Sequence, residues 1–352
     1  MNITMVKTTK TIKRRPGSAP LSRALYLGYY LRHLNKQQFQ KFLDYTAGET
    51  GISKVGLIKD MLSSVFTYNI SILEYFQFRF FEKTTEERRL WAGTGHMYEY
   101  QLKMNPKDKR EILDDKTLFY KYYGDFFVHS VADRKDLEEK PGVASGILSN
   151  PSGNIVLKVS DGKCGADVEI REAADFTPEE LIRYMKEKNF GIVEEFITQH
   201  SKINQLSPSA VNTIRIFTEL DESGEPRVLG CRLRISVNSP VDNMAAGNLA
   251  APIDEMTGVV SGSAVYSDIT KPPVDIHPVT GVEIVGFQIP MWDQILEMVK
   301  MAAKKHPQNR SIGWDVIVTE KGPGLIEGNH DWCKLLWQLP VKTGLKSKLQ
   351  LI

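Results

Sequence analysis

The sequence has few cysteines and no long apolar run. Its 352 residues include only Cys164, Cys231 and Cys333, which are far apart and form no CxxC pair. An odd number of widely spaced cysteines argues against a disulfide framework or a zinc site, and indicates a reducing compartment. No segment approaches the roughly 20 apolar residues of a membrane span, and no signal-peptide core is found. These absences favour a cytoplasmic protein.

Acidic residues are missing from the start of the chain, because no Asp or Glu precedes Asp44. Residues 1–20 are basic and poor in apolar side chains, which predicts a flexible tail. Such a tail could touch anionic lipid at the inner face of a membrane, and the alternative is a tail that is simply solvated. The net charge of the whole chain is only +2, so we predict no nucleic-acid partner. The oligomeric state is left open.

The pattern of apolar residues predicts an α+β protein with several subdomains. Residues 21–110 have helical spacing, and Thr84 with Glu87 has the signature of a capping box. The aromatic residues of this region are predicted to be core rather than a platform for bases: Tyr75, Phe76, Phe78, Phe80 and Phe81. Strands and helices then alternate over 111–192, and 193–352 is rich in strands. The chain is large enough for each part to bury apolar residues.

Two lysines occupy unusual positions. Lys116 lies in the first turn of a helix capped by Asp114 or Asp115, where a cation opposes the helix dipole. It is either an exposed lysine or a ligand for an anion. Lys158 lies among apolar neighbours in a predicted strand over 154–160, and a glycine-bearing loop with Gly162 and Gly165 follows. A loop of this kind can turn backbone N–H groups toward phosphate, although the order of residues is not that of a Walker A motif.

Arginines occur in strands that are otherwise suited to burial. Arg215 alternates with Thr213 and Phe217 in one strand, and the next strand carries Arg232 and Arg234. A guanidinium group in such a strand requires an oxyanion partner.

A hairpin near the carboxyl end carries two carboxylates. Residues 313–319 and 324–329 form two apolar runs separated by turn residues. An odd-length turn would place Asp315 opposite Asn329 and diagonal to Glu327, whereas an even-length turn would put Asp315 on the other face. The first arrangement is a site of hard oxygen ligands suited to Mg²⁺. The alternative is a surface hairpin with solvated carboxylates.

These features occur in a fixed order that resembles the ATP-grasp superfamily. More narrowly, several stretches resemble the sugar-transfer-associated ATP-grasp family of bacterial surface-polysaccharide gene clusters. The stretches are Glu194-Glu195-Phe196-Ile197-Thr198-Gln199-His200, Asn212-Thr213-Ile214-Arg215, Val241-Asp242-Asn243, Gly313-Trp314-Asp315 and Ile326-Glu327-Gly328-Asn329. The resemblance implies an ATP-grasp fold, in which 111–192 is the small subdomain and 193–352 the large subdomain, preceded by the helical region 21–110.

The resemblance also implies a role for each residue. Those expected to hold ATP are Lys116 and Lys158 on the phosphates, Gly162 and Gly165 in the loop, and Glu194, Glu195, Phe196 and Ile197 at the adenine hinge. Two Mg²⁺ ions, which Mn²⁺ could replace, are expected to bind Asp315, Glu327 and Asn329. Arg215 and Arg234 are expected to be catalytic and to neutralise phosphoryl oxygens. The positions after the hinge lack the acidic residue that often binds ribose in the superfamily, so that contact is unassigned.

The implied activity is an ATP-dependent carboxylate–amine ligase that acts through an acyl phosphate. Its partners would be a small carboxylate and an amine, an amino acid or a sugar acid, in the synthesis of a surface polysaccharide or a related conjugate. Two alternatives stay open: a small-molecule kinase, and a non-catalytic nucleotide-binding partner of a glycosyltransferase. No Ser-His-Asp or Cys-His set is found in the sequence, and none of these reactions requires one.

Overall fold

A computed structural model describes residues 19–140, 142–160 and 168–349. The loop glycines Gly162 and Gly165, and most of the predicted tail, lie outside these ranges. The helices are α1 (Ala19–Arg32), α2 (Lys36–Thr50), α3 (Lys54–Tyr68), α4 (Ile72–Gln77), α5 (Thr85–Arg89), α6 (Thr94–Met104), α7 (Glu111–Asp114), α8 (Lys116–Tyr123), α9 (Arg134–Glu139), α10 (Val143–Leu148), α11 (Pro178–Glu187), α12 (Ser201–Leu206), α13 (Trp292–Lys305) and α14 (Lys334–Gln338). None of the helices in the described ranges has the length and apolarity to cross a membrane.

The strands form two antiparallel sheets. They are β1 (Val131–Asp133), β2 (Asn154–Lys158), β3 (Val168–Glu172), β4 (Ile192–Glu195), β5 (Ile214–Leu220), β6 (Pro226–Ile235), β7 (Leu249–Ile253), β8 (Ser311–Thr319) and β9 (Gly322–Asn329). The first sheet has the order β1-β4-β2-β3, and the second has the order β7-β6-β5-β8-β9. Because β4 belongs to the first sheet, a boundary between residues 192 and 193 would divide that strand, and we place it after Glu195.

The helical region over residues 19–104 is held by local caps and an aromatic core. Ser71 with Glu74, and Thr84 with Glu87, form capping boxes, which confirms the predicted cap at Thr84. Tyr75, Phe76, Phe78 and Phe80 are buried, and Phe81 packs against the same cluster. The cluster also includes residues of the second sheet and of α14, so the helical region packs onto that sheet.

The second sheet is buried on both faces: every residue of β5 is buried, and so is every residue of β8 except Thr319. One face carries Ile214, Leu233 and Trp314, which pack against α13. The opposite face carries Phe217, which packs with Trp332 and Trp337 in the core of the helical region. Any polar side chain on this second face is therefore enclosed and needs a partner.

Helix α8 joins the two sheets. Asp115 caps its amino end by accepting a hydrogen bond from the N–H of Leu118 at 2.9 Å. The N–H of Lys116 donates to the carbonyl of Ser160, just after β2, at 2.9 Å. At the other side of the helix, Phe119 packs into the core of the second sheet. Lys116 therefore lies beside the residues that follow β2, on a helix that also contacts the second sheet.

Candidate functional site

A row of charged side chains crosses one face of the second sheet. Arg232 pairs with Arg215, Arg215 with Asp315, and Asp315 with Glu327 on successive strands. Directly opposed residues of antiparallel strands project to the same face. Alternation places Arg234 and Asn329 on this face as well. The fold thus brings together the predicted arginines and the predicted metal ligands, which lie up to 114 positions apart between Arg215 and Asn329.

The register of the β8–β9 hairpin differs from the prediction. Thr319 pairs with Gly322, so the turn is the even, two-residue Glu320-Lys321, and Asp315 opposes Glu327 rather than Asn329. A β-bulge next to Asp315 inserts one extra residue, Ile326, in β9. An extra residue reverses the side-chain alternation of its strand. The bulge therefore restores the shared face of Asp315 and Glu327 that an even turn alone would have removed.

Asp315 is held by two arginines. Arg215 binds it with two donors: Nε contacts Oδ1, and Nη2 lies 2.8 Å from Oδ2. Nη1 of Arg234 lies 2.9 Å from Oδ2. Burial opposes the charge of Asp315, but the two guanidinium groups outweigh it and hold the pKa of this carboxyl far below its usual range. Asp315 is ionised at any pH at which the protein would be assayed.

Glu327 and Asn329 complete a set of oxygen donors. Burial and the adjacent Asp315 raise the pKa of Glu327, as expected for two neighbouring carboxylates, and they outweigh the opposing effect of Arg215. Asn329 donates from Nδ2 to Glu327 Oε1 at 3.1 Å, which leaves its Oδ1 for other partners. The described part of the chain contains no group of three or more His, Cys, Asp or Glu placed to hold a metal. Two carboxylates and an amide nevertheless fit Mg²⁺, which uses few protein carboxylates beside phosphate and water.

Asp242 is a member of the site to which the sequence assigned no role. Its carboxylate accepts from the N–H and hydroxyl of Thr213 at 2.8 and 2.6 Å, and lies 2.6 Å from Nη2 of Arg234. Arg234 therefore bridges Asp242 and Asp315. The aspartate follows β6 in a loop, and only its place in a family stretch could have indicated it.

The first sheet carries a second ion pair. Lys158 and Glu194 project from adjacent strands on the face that α9, α10 and α11 leave uncovered, with Nζ and Oε2 2.5 Å apart. The Nε2 atom of His129 lies 3.5 Å from the same oxygen. Burial opposes the charge of Glu194, but Lys158 and His129 outweigh it and lower its pKa to about 2. The side chain of Glu194 therefore forms a buried ion pair, whereas the sequence analysis assigned only its backbone to the hinge.

We expect Glu194→Gln to destabilise the protein by about 3 kcal/mol at pH 7, the order of magnitude for removing one partner of a buried ion pair. A lowered pKa gives stability that is present above the unfolded-state value near 4.5 and is lost as the pH falls toward 2. The difference between variant and wild type should therefore shrink below pH 4.5. Urea unfolding at pH 7 and pH 4 measures it, and an unchanged difference would contradict the assignment.

The hinge residues lie where the chain leaves the first sheet. Glu195 ends β4, and its N–H donates to the carbonyl of Ser130. Phe196 and Ile197 follow as partly buried residues outside any strand. The N–H of Phe196 is bonded to Asn154, whereas no described residue accepts a hydrogen bond from the N–H of Ile197 or Thr198. An exposed backbone edge of this kind can bind the edge of a planar base.

The fold and these two charged clusters define the ATP-grasp class of nucleotide-binding proteins. The chain belongs to the sugar-transfer associated ATP-grasp family, which matches residues 96–352. This confirms the resemblance seen in the sequence and extends it to the carboxyl end. The helices before residue 96 lie outside the matched segment.

Solved structures with a similar fold are distant. A 2-oxoglutarate carboxylase biotin carboxylase domain from Hydrogenobacter thermophilus is 18% identical, over 66% of this chain and 46% of its own, with a TM-score of 0.36. An L-amino acid ligase from Bacillus licheniformis is 14% identical, over 63% and 41%, with a TM-score of 0.36. A D-alanine–D-alanine ligase from Bacillus anthracis is 12% identical, over 67% and 69%, with a TM-score of 0.34.

The chain spans about half the length of several of these proteins, including 45% of an N5-carboxyaminoimidazole ribonucleotide synthetase. At these TM-scores the likenesses carry no information about the reaction. No curated protein matches the chain.

Proposed function

We propose that the protein is an ATP-dependent carboxylate–amine ligase that forms an amide through an acyl phosphate. The observation that carries the proposal is the buried row of Arg215, Arg234, Asp315 and Glu327 on one face of the second sheet. Membership of the ATP-grasp family supports a nucleotide as its ligand. Two guanidinium groups beside a Mg²⁺-type donor set suit a reaction in which negative charge moves between phosphate and carboxylate oxygens.

In this proposal, different residues of the chain would bind the base, the phosphates and the metal ion. Lys158 and Lys116 would bind the α- and β-phosphates, and Ile197 and Thr198 would present free backbone N–H groups to the base. Asp315, Glu327 and Asn329 would hold Mg²⁺, which screens phosphate charge when bound. Arg215 and Arg234 would neutralise oxygens of the phosphoryl group being transferred. Their fixed hydrogen bonds to Asp315 orient them before the substrates arrive.

Activation by phosphate explains why a nucleophilic side chain is not required. A free carboxylate resists attack by an amine because oxide is a poor leaving group. In the proposed reaction the carboxylate oxygen attacks the γ-phosphorus and displaces ADP. The amine then attacks the acyl carbon, and phosphate leaves with the C–O bond electrons as the amide forms. Positioning and charge neutralisation are the protein's contribution.

The sugar-transfer association of the family supports a sugar acid or an amino acid as a substrate, in the synthesis of a surface polysaccharide or a related conjugate. Such a reaction needs cellular ATP, so a cytoplasmic location is part of the proposal.

Product analysis tests the proposal. ATP turnover is measured with paired amino acids and uronic acids, and phosphorus NMR identifies the products. A ligase releases ADP and inorganic phosphate only when both a carboxylate and an amine are present. A stable phosphoester would instead indicate a kinase. Binding of ATP without turnover on any substrate pair would favour a nucleotide-binding partner of a glycosyltransferase.

Nucleotide binding has a separate expected result. At a concentration about a hundredfold above Kd, MgADP should add roughly 2.7 kcal/mol to the free energy of unfolding, which corresponds to a rise in Tm of roughly 5 °C for a chain of this size. Differential scanning fluorimetry measures the shift, with Mg²⁺ alone and ADP with EDTA as controls. An equal shift without Mg²⁺ would argue against the metal site.

A further inference from the structure

A histidine beside the proposed nucleotide site has no hydrogen-bond partner. The side chain of His129 is 4% exposed, and neither ring nitrogen makes a hydrogen bond to a described residue. Its ring stacks on Phe127, with centroids 5.5 Å apart and planes inclined by 6°. A buried imidazole without partners is costly. The stacking fixes the plane of the ring, so Nε2 is held toward Glu194.

His129 and Lys158 compete for one carboxylate. The Glu194 Oε2 atom lies 2.5 Å from Lys158 Nζ and 3.5 Å from His129 Nε2. Of the described side chains, Lys158 and His129 are the ones that lie close to the Glu194 carboxylate. Lys158 is the cation, among the described side chains, that lies within hydrogen-bond distance of this carboxylate.

The surrounding charges do not supply a third partner for Glu194. Glu195 accepts from the N–H of Ser130 at 3.2 Å, and its other oxygen lies 4.0 Å from Nζ of Lys321 in the β8–β9 turn. Glu195 adds negative charge beside His129, and Lys321 partly offsets it from the exposed side.

We infer that His129 takes up a proton when nucleotide binds, and so replaces Lys158 as the counter-ion of Glu194. The inference rests on the proposed function, in which Lys158 turns its charge toward phosphate. A buried carboxylate that shares its closest described cation with phosphate is left under-compensated. A protonated imidazole can supply the missing positive charge near neutral pH, because the charge of an imidazole changes between about pH 5 and 8.

Two consequences distinguish this role from a structural one. The affinity for MgADP should fall as the pH rises from 7.0 to 8.5, by up to about tenfold per pH unit for a full proton. Binding should also withdraw protons from the buffer. A histidine that only fills space would produce neither effect.

Isothermal titration calorimetry of the full chain with MgADP, in two buffers of different ionisation enthalpy, measures the proton uptake. We expect roughly half a proton or more per MgADP for the wild type at pH 7.5, and close to zero for His129→Gln, which keeps a polar side chain of similar length. His96→Gln is the matched control. Burial and nearby lysines lower the pKa of His96 to about 4, so it stays neutral in the wild type and its replacement should leave the uptake unchanged.

Each outcome decides the matter. Binding without buffer-dependent heat in the wild type, or uptake that persists in His129→Gln, overturns the inference and leaves the proposed function intact. The absence of any MgADP binding overturns the proposed function and the inference with it. If His129→Gln fails to fold, NMR of ¹⁵N-labelled histidine in the wild type replaces it. A shift of the His129 ring nitrogens to the imidazolium range on adding MgADP supports the inference, and an unchanged spectrum contradicts it.

Discussion

Replacement of Glu327 by Gln should lower ATP turnover by roughly 10² to 10³-fold, the size of effect seen when one preorganised charged group is removed from an active site. Gln keeps the shape and the hydrogen bond from Asn329 but removes the charge needed beside Asp315 to hold Mg²⁺. Coupled assay of ADP release measures the loss. Glu222→Gln, on the exposed β5–β6 turn, is the control and should retain full activity.

The same variant has a stability signature. The pKa of Glu327 is raised by burial and by Asp315, so the folded state favours the protonated carboxyl. Stability from this group is therefore complete below its unfolded-state value near 4.5, and is lost as the pH rises through the raised value. In the absence of Mg²⁺, Glu327→Gln should unfold at a higher temperature than wild type at pH 7.5 and at a similar temperature at pH 4. Inactivity combined with a lower Tm at pH 7.5 would point to misfolding instead of a lost metal ligand.

Replacement of Arg215 by Met should be the most destabilising change in the site, at about 3–5 kcal/mol. Arg215 and Asp315 are both buried, and removal of the guanidinium leaves the carboxylate with Arg234 alone. Turnover should fall as well, by about 10²-fold or more, because the charge opposite the phosphoryl oxygens is lost. Urea unfolding and the ADP assay measure the two effects.

A double variant separates the buried charge from the packing. Arg215→Met with Asp315→Asn should recover much of the lost stability, since the carboxylate that Arg215 neutralised is removed as well and Arg234 keeps Asp242 as its partner, but should recover no activity. Arg183→Met, which removes an exposed partner of Glu180, should leave the free energy of unfolding nearly unchanged. Equal losses for Arg183→Met and Arg215→Met would mean that burial of the Arg215 pair contributes little.

The sequence by itself determined the residue types of the site and the order in which they occur. A charged side chain is costly to bury alone, so a charge in an apolar strand indicates a group that needs a partner. This reasoning identified Lys158, Arg215 and the carboxylates of the last hairpin. Their order along the chain matched one family, and the match over residues 96–352 confirms it. Local capping rules likewise located a helix start at Thr84, and the structure shows that, of the two candidates Asp114 and Asp115, Asp115 is the cap.

Only the tertiary structure decided how these residues pair. The bulge beside Asp315 sets which residue faces Glu327, and it depends on how β8 and β9 pair with their neighbours, a nonlocal contact that hairpin length cannot reveal. Arg215 meets Asp315 across 100 residues, and Asp242 and His129 enter the site from loops with no periodic pattern. Burial makes each of these charges costly and each partner necessary. It arises when the sheets and helices pack together, and the local sequence does not encode it.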